Sequence, residues 1–351
     1  MRRTLLVIHP GALGDVLLSL PALRGLRGQN PNHEIGIVTG RQVGNLLRAC
    51  DEVETIFPLE SDALASLFAE PESVSPPLRD WLARCDLAVC WLTDPGHRLY
   101  SVLQELGVPQ IIQQSSLSSA CEAVHQTDRV METVQDVVPT GNYGWRLLVP
   151  DQTVVAGKAR LAELGIREDQ PVVAIHPGSG SRHKCCAPAL LARVVAWVQA
   201  NDACPLVLGG PADDALVASL CEACEKPPPV LQQVELLTVA GVLAHADFFI
   251  GHDSGLTHLA AALHLPTVAL FGPTDARRWA PRGSHVTILT GEDCRCQGWE
   301  AVRACLTRPC LQIPVESLIQ AYEWRLRRQE TVLCGLQDKT TSCLVRSKQL
   351  C

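Results

Sequence analysis

Three short loops carry the side chains of this sequence that could do chemistry. The first runs from His9 to Asp15, the second from His176 to Lys184, and the third from His252 to Gly255. Each follows a short apolar run and places glycine beside charged or hydroxyl side chains. Backbone N–H groups in such loops can bind an anion, and a lysine adds positive charge. The pattern favours a site for an anionic ligand, built from loops far apart in the chain.

The third loop lies within a pattern of strand, turn, helix and strand. The apolar residues before Gly251 predict a buried strand, and Thr267–Phe271 predicts another. Between them, Asp253 and Ser254 can cap a helix that Pro266 ends. A helix that begins at Ser254 has unpaired N–H groups at its start, where a phosphate is favourable. An ordinary capped helix explains the same residues, so the pattern alone leaves both interpretations open.

Asp15 lies at the start of a predicted helix, at the edge of the candidate site. A helix cap explains its residue type fully. Its loop is not a G-x-G-x-x-G fingerprint, so a dinucleotide redox fold is not supported. The second loop lacks the order of a Walker A motif, and the sequence contains no D-x-D triplet. A P-loop ATPase and a metal-dependent sugar transferase of the single-domain kind are therefore disfavoured.

The elements that must position these loops alternate between strands and helices. Strands are predicted at Leu5–Ile8, Ile35–Val38, Glu54–Phe57, Leu87–Leu92, Val108–Ile112, Pro171–Ile175, Pro205–Leu208, Phe248–Ile250 and Thr267–Phe271. This alternation indicates parallel α/β sheets. In doubly wound sheets a ligand binds beyond the carboxyl ends of the strands, which is where all three loops fall.

The length of 351 residues suits two domains, each with its own core. The alternation of strands and helices stops near residue 150 and resumes near residue 171. We therefore predict two Rossmann-like domains, 1–150 and 171–330, that face each other across a cleft and are joined by a linker helix within 151–170. A final amphipathic helix is predicted from Ile313 to Arg328, and residues 331–351 form a tail without a clear signal.

Charge and hydropathy restrict the partners and the location of the protein. A net charge of −7, without clustered basic and aromatic residues, argues against nucleic-acid binding. The apolar run Leu5–Ile8 is interrupted at once by His9–Gly11, so it is too short for a signal peptide or a membrane span. We therefore expect a cytoplasmic protein whose cysteines are mostly reduced.

A late cluster of cysteines leaves two interpretations open. Its members are Cys294, Cys296, Cys305 and Cys310. Four thiolates that converge tetrahedrally would hold a structural zinc ion. Their spacing does not match the paired C-x-x-C pattern of zinc sites, so free thiols in a loop are the other interpretation. No metal is assigned to the predicted substrate site.

Three stretches, in this order, resemble glycosyltransferase family 9, the ADP-heptose:lipopolysaccharide heptosyltransferase family. They are Pro10–Arg24, His176–Ser181 with Lys184, and Asp253–Asp275. The resemblance implies a GT-B fold, with the acceptor bound mainly by the N-terminal domain and the nucleotide sugar mainly by the C-terminal domain. It also implies an enzyme that inverts the anomeric centre without a cofactor or an obligate metal.

The resemblance also implies the partners of the protein. The donor would be a nucleotide-diphospho-sugar, ADP-heptose first of all, and the acceptor a lipopolysaccharide core, another glycan or a lipid-linked hydroxyl. A lipid-linked acceptor would bring the protein to the cytoplasmic face of the inner membrane. The arginines that could assist there electrostatically are Arg2, Arg3, Arg24 and Arg27. Ordinary solvated arginines explain these residues equally.

The roles of the site residues follow from the matched motifs. Asp15 matches the catalytic base of the family, Lys184 the lysine that contacts phosphate, and Asp253 the aspartate that holds sugar hydroxyls. The other predicted substrate-binding residues are Gly14, Ser179, Gly180, Ser181, Ser254, Gly255 and His258. The Gly209–Asp214 turn is a looser match to a nucleotide contact. A merely solvated Lys184 and a merely packed His258 are the alternatives.

The chemistry of transfer agrees with these roles. One carboxylate on the acceptor side suffices for a single-step inversion, and positive charge stabilises the departing diphosphate. Aromatic residues make up only 4% of the chain, which leaves little material for stacking an adenine. Two other functions stay open: a GT-B-like epimerase or hydrolase that acts on the nucleotide sugar alone, and a nucleotide-sugar-binding protein without turnover.

Overall fold

A computed structural model describes residues 2–115 and 124–323 of the protein. The first half contains a parallel sheet of five strands in the order β3-β2-β1-β4-β5. The strands are β1 Arg3–Ile8, β2 His33–Thr39, β3 Thr55–Pro58, β4 Cys85–Cys90 and β5 Gln110–Gln113. Each strand predicted in this half is present, with ends that differ by one to a few residues.

The second half contains a parallel sheet of six strands in the order β11-β10-β9-β6-β7-β8. The strands are β6 Val172–His176, β7 Cys204–Gly209, β8 Val230–Gln232, β9 Phe248–His252, β10 Thr267–Phe271 and β11 Val286–Thr290. The two edge strands, β8 and β11, were not predicted. Both are only partly buried, and β8 is three residues long, so neither shows the long apolar run of a central strand.

Helices connect successive strands in both sheets. In the first half they are α1 Leu13–Leu18, α2 Leu20–Gln29, α3 Arg41–Ala49, α4 Ala63–Ser66, α5 Pro76–Leu82, α6 Arg98–Glu105 and α7 Gln126–Thr133. The helices after residue 150 are α8 Asp151–Glu163, α9 Pro188–Ala200, α10 Asp214–Ala223, α11 Leu236–Leu243, α12 Gly255–Ala262, α13 Ala276–Trp279 and α14 Gly298–Ala304. Helix α8 occupies the predicted linker position and packs against α11.

The structure describes only the first part of the predicted final helix, as far as residue 323. Residues 315–323 are helical. The rest of that prediction, as far as Arg328, and the predicted tail at 331–351 lie outside the described residues. In the part of the chain that is described, no helix combines the length and the apolar composition that a membrane crossing requires.

The central strands are buried on both faces by helices. Leu5, Leu6, Val7 and Ile8 of β1 are fully buried, as are Phe249 and its neighbours in β9. Burying one such side chain stabilises the fold by roughly 1.5–3 kcal/mol. Each core holds its strands together in one sheet, so the loops at their carboxyl ends share one edge of that sheet.

The two halves meet directly, which confirms a GT-B fold with two parallel-sheet α/β units on either side of a cleft. Helix α1 packs against α12, and the Leu147 N–H donates to the carbonyl of Ala262 at 2.8 Å. His125 Nε2 bonds to the carbonyl of Ala280 at 2.8 Å. Arg282 and Asp128 form an ion pair across the same junction. The exact division at residues 150 and 171 stays a prediction.

Candidate functional site

The cleft contains a cavity of about 280 Å³ at the carboxyl ends of β1, β6 and β9. Most of the predicted site residues line it: Gly14, Asp15, Gly180, Lys184, Asp253, Ser254, Gly255 and His258. Ala12, Leu18, Thr274, Trp279 and Trp299 complete its wall. The cavity therefore joins all three loops, and both halves of the protein contribute to it.

Asp15 is both a helix cap and a wall of the cavity. It lies in the first turn of α1, and its Oδ2 accepts a hydrogen bond from the Ala12 N–H at 3.0 Å. Burial raises the pKa of Asp15, while the bond from Ala12 and the charge of Lys184 oppose that rise. A carboxylate with a raised pKa is better suited to accept a proton near neutral pH than an exposed one.

Lys184 and Asp253 are partners on the opposite wall. Lys184 Nζ lies 2.8 Å from Asp253 Oδ2, and the Thr274 hydroxyl donates to the same oxygen at 2.8 Å. The ammonium also lies 5.8 Å from the centre of the Trp299 ring, on its face. Lys184 is therefore not a freely solvated lysine. It is held by a carboxylate and an aromatic ring.

The start of α12 faces the cavity, as predicted. Ser254 is the N-cap residue, and its Oγ accepts from the Thr257 N–H. Gly255 packs against Leu13 so closely that a Cβ at this position would lie 2.9 Å from the Leu13 Cβ. The first N–H groups of a helix have no intrahelical acceptor, so this wall suits an anion.

His258 is packed and also borders the cavity. It is buried and lies against Gly14, where an added Cβ would come within 3.0 Å of His258 Cδ2. Burial lowers the pKa of His258 to about 4. The imidazole is therefore neutral at pH 7 and adds no charge for an anion. Its contact with Gly14 instead sets the separation of α1 and α12.

Ser179 and Ser181 do not line the cavity, although both were predicted to bind substrate. The Ser179 hydroxyl donates to the carbonyl of Asp253 at 2.5 Å. Ser181 begins the short 3-10 turn Arg182–Lys184 and accepts from the His183 N–H at 3.3 Å. Ser179 therefore connects the second loop to the third, and Ser181 caps the turn that carries Lys184.

Sequence reasoning missed five wall residues, of which Thr274, Trp279 and Trp299 carry polar or aromatic side chains. Thr274 and Trp279 follow β10, so the rule that ligands bind beyond carboxyl ends of strands could have found them. Trp299 lies in α14, after edge strand β11, and no local pattern points to it. Its side chain is 44% exposed beside Lys184. The cavity thus has two tryptophans in a chain poor in aromatic residues.

The Gly209–Asp214 turn does not line the cavity either. Its Asp213 is buried, and Oδ2 bonds to His176 Nε2 at 2.9 Å and accepts from the Gly210 N–H at 2.8 Å. His9, at the start of the first loop, is also buried, with Nδ1 accepting from the Gly11 N–H at 3.2 Å. His176 and His9 therefore form hydrogen bonds that hold the loops in place without lining the cavity.

The late cysteines lie close together in the structure. The thiols of Cys294 and Cys305 lie beside Cys296, and Cys310 is buried next to Cys294. Within residues 2–115 and 124–323, no group of three or more His, Cys, Asp or Glu side chains is arranged to hold a metal ion. A zinc site and free thiols both stay open as interpretations of this cluster.

The sequence is similar to one known protein family and to individual members of it. A family model described as glycosyltransferase family 9 (heptosyltransferase) matches residues 115–305. The sequence is also similar to lipopolysaccharide heptosyltransferase 3 of Escherichia coli, with 30% identity over 130 residues. That match spans 36% of this chain and only 38% of the relative's length.

Solved structures extend the likeness to nearly the whole chain. The crystal structure of the glycosyl transferase family 9 protein from Veillonella parvula DSM 2008 superposes with a TM-score of 0.77 at 18% identity, covering 93% of this chain and 98% of the other. The E. coli ADP-heptose lps heptosyltransferase II superposes with a TM-score of 0.73 at 18% identity, covering 93% and 99%. At these identities the likeness concerns the fold.

Proposed function

The chain belongs to glycosyltransferase family 9, and on that premise we propose that it transfers a sugar from a nucleotide-diphospho-sugar to an acceptor hydroxyl with inversion. The observation that carries the proposal is one cavity with Asp15 on one wall and Lys184, Asp253 and the start of α12 on the other. A candidate base and a candidate anion site therefore line the same cavity.

Asp15 is proposed as the general base for the acceptor hydroxyl. It projects from the N-terminal half, and its raised pKa makes the carboxylate a stronger proton acceptor. A single base is sufficient when the incoming hydroxyl displaces the diphosphate directly. The bond from Ala12 holds one carboxylate oxygen and leaves the other for the hydroxyl.

Lys184 and the first turn of α12 are proposed to bind the diphosphate. Negative charge on the leaving group grows as the anomeric bond breaks, and preorganised donors stabilise that charge. Asp253 would exchange part of its contact with Lys184 for the sugar hydroxyls. The Thr274 hydroxyl, already bonded to Asp253, keeps that carboxylate in place.

The donor is proposed to be ADP-heptose, because the structural relative from E. coli carries that donor in its name. Trp279 and Trp299 supply the apolar faces against which a sugar or a base could pack. No cofactor enters the proposed reaction.

The acceptor is proposed to be a lipopolysaccharide-core or lipid-linked glycan, following the name of the matched E. coli relative. Contact with an anionic membrane surface through Arg2, Arg3, Arg24 and Arg27 stays part of the proposal. Arg3, Arg24 and Arg27 each pair with a carboxylate. Sedimentation with anionic vesicles at low and high salt would test whether these arginines bind the protein to a membrane surface.

The proposal is tested by incubating the purified protein with ADP-heptose, with and without a heptose-free core glycan. Sugar transfer with inverted configuration, dependent on acceptor and lost in Asp15→Asn, is expected. Release of ADP or formation of a new sugar without acceptor would instead identify a hydrolase or an epimerase. Binding of ADP-heptose without turnover on any acceptor would identify a binding protein.

A further inference from the structure

The start of α7 forms hydrogen bonds to segments from both halves of the protein. His125 is the N-cap residue of α7, and its Nε2 bonds to the carbonyl of Ala280 at 2.8 Å. The Thr127 hydroxyl donates to the carbonyl of Leu18 at 2.8 Å. Both side chains are buried. Because Leu18 is the last residue of α1 and Ala280 belongs to the second half, residues 125–127 connect α1 to that half.

The two contacts of the His125 ring require one tautomer of a neutral imidazole. The Nδ1 atom accepts from the Thr127 N–H at 3.2 Å, and a backbone N–H can only donate. A carbonyl oxygen can only accept, so Nε2 carries the proton and donates to Ala280. His125 therefore caps α7 with one ring nitrogen and holds the second half of the protein with the other.

Both carbonyls belong to segments that line the cavity. Leu18 is itself a wall residue and lies about one helical turn after Asp15 on α1. Ala280 directly follows Trp279, the wall residue at the end of α13. The start of α7 therefore fixes the wall formed by α1 and the wall formed by α13 relative to each other.

Weaker contacts surround this junction. Asp128 of α7 forms an ion pair with Arg282, but both side chains are more than a third exposed, and such pairs contribute little. The Arg282 guanidinium lies 5.8 Å from the centre of the Trp145 ring, and the His125 ring meets the same indole edge to face at 6.4 Å. The buried hydrogen bond of His125 is therefore the contact whose loss should matter most.

We propose that His125 is a positioning residue that sets the separation between Asp15 on α1 and Trp279 on α13. The inference rests on the proposed function, in which Asp15 activates the acceptor and the opposite walls bind the donor. His125 does not line the cavity, so it acts through Ala280 without touching a substrate. A catalytic group displaced by about 1 Å through a distant mutation can lower the rate roughly a hundredfold.

Two substitutions separate the two roles of the His125 side chain. Asparagine is among the best N-cap residues, so His125→Asn keeps the cap of α7, but its shorter side chain loses the carbonyl of Ala280. Glutamine places an amide N–H near the position of Nε2, so His125→Gln keeps the bond to Ala280 and loses the cap. If position matters, the first variant should lose activity and the second should lose stability.

The kinetic measurement compares kcat, ADP affinity and Tm in both variants. We expect His125→Asn to lower kcat roughly tenfold or more while ADP affinity stays within about twofold, because the proposed ADP site lies in the second half alone. His125→Gln should keep kcat within about threefold of wild type and lower Tm further than His125→Asn. An equal loss of kcat in both variants, or a wild-type kcat in His125→Asn, would contradict the positioning role.

The position of the α13 wall is measured without any substrate. In protein labelled with 5-fluorotryptophan, the ¹⁹F signals of Trp279 and Trp299 are assigned from their Trp→Phe variants. His125→Asn should shift or broaden the Trp279 signal and leave that of Trp299, on α14, unchanged. An unaltered Trp279 signal, or an equal change in both signals, would overturn the proposal.

His245→Asn is the matched control, because His245 is partly buried and donates to the carbonyl of Val154 at 2.7 Å, away from the cavity. It should keep the wild-type kcat and the wild-type Trp279 signal. If wild type transfers no sugar to any acceptor while His125→Asn still shifts the Trp279 signal, the proposed function fails and the structural link through His125 stands.

Discussion

Lys184 Nζ and Asp253 Oδ2 lie 2.8 Å apart, so the cation proposed for the diphosphate and the carboxylate proposed for the sugar are already bound to each other. The pair holds both side chains in place at the wall of the cavity. Preorganised groups stabilise developing charge without a reorganisation cost at the moment of reaction. Replacing either residue therefore removes its own contact with the donor and also frees the side chain of the other residue to change its orientation.

Replacing Lys184 should weaken donor binding as well as turnover. Lys184→Met keeps the apolar stem and removes the charge, and we expect ADP affinity to fall roughly tenfold or more, since hydrogen bonds to charged groups contribute about 1.5–3 kcal/mol. Calorimetry with ADP measures the effect. The control is Lys158→Met, at an exposed lysine that pairs with Glu168. Equal affinity in wild type and Lys184→Met would remove Lys184 from the diphosphate site.

Replacing Asp15 should abolish turnover and leave donor binding intact. Asp15→Asn preserves size and the bond from the Ala12 N–H, so α1 keeps its cap. General-base catalysis contributes roughly 10²–10⁴-fold, and we expect kcat to fall by that factor while ADP affinity stays within about twofold. A variant that keeps more than about a tenth of the wild-type kcat would show that Asp15 is not the base.

The pH dependence of stability should reveal Asp15 independently of activity. Burial raises its pKa in the folded protein, so ionising Asp15 costs folding free energy. That cost is absent below the pKa of the unfolded chain and is complete above the folded pKa. Asp15→Asn should therefore raise Tm relative to wild type more at pH 8 than at pH 4. A difference in Tm that is the same at both pH values would argue against a raised pKa.

Trp299 should contribute to donor binding from a segment without other site residues. Its ring lies 5.8 Å from Lys184 Nζ, and a cation–π contact at an exposed site contributes about 0.5–1 kcal/mol. We expect Trp299→Ala to weaken ADP-heptose binding roughly three- to tenfold with little change in Tm. Leu306→Ala is the control, because Leu306 is 93% exposed nearby and does not line this cavity.

Intrinsic tryptophan fluorescence provides a second measurement of the same contact. Titration with ADP-heptose should change the emission of wild type, and Trp299→Phe should reduce that change. Trp279 also borders the cavity, so Trp279→Phe tests how much of the signal belongs to it. An emission change that survives unaltered in Trp299→Phe would place the ligand away from α14.

Sequence reasoning located the three loops correctly because each depends on local physics. The apolar runs before Gly251 and before His9 are strands in the structure, and Ser254 caps α12 as its residue type predicts. Once parallel strands are recognised, their carboxyl ends must share one edge of a sheet, which brings Lys184 and Asp253 together. Asp15 was placed at a helix start, and it is both cap and cavity wall.

The amino-acid sequence by itself determined the parallel strands, the helix starts and the family, because these depend on periodicity, caps and motifs read over a few residues. Only the tertiary structure decided which side chains turn into the cavity. Ser179 turns away to bond the third loop, and Ser181 caps a turn of its own loop. Asp213 pairs with His176, and Trp299 reaches Lys184 from α14. Such contacts depend on the packing of segments distant in the chain, and no local pattern records that packing.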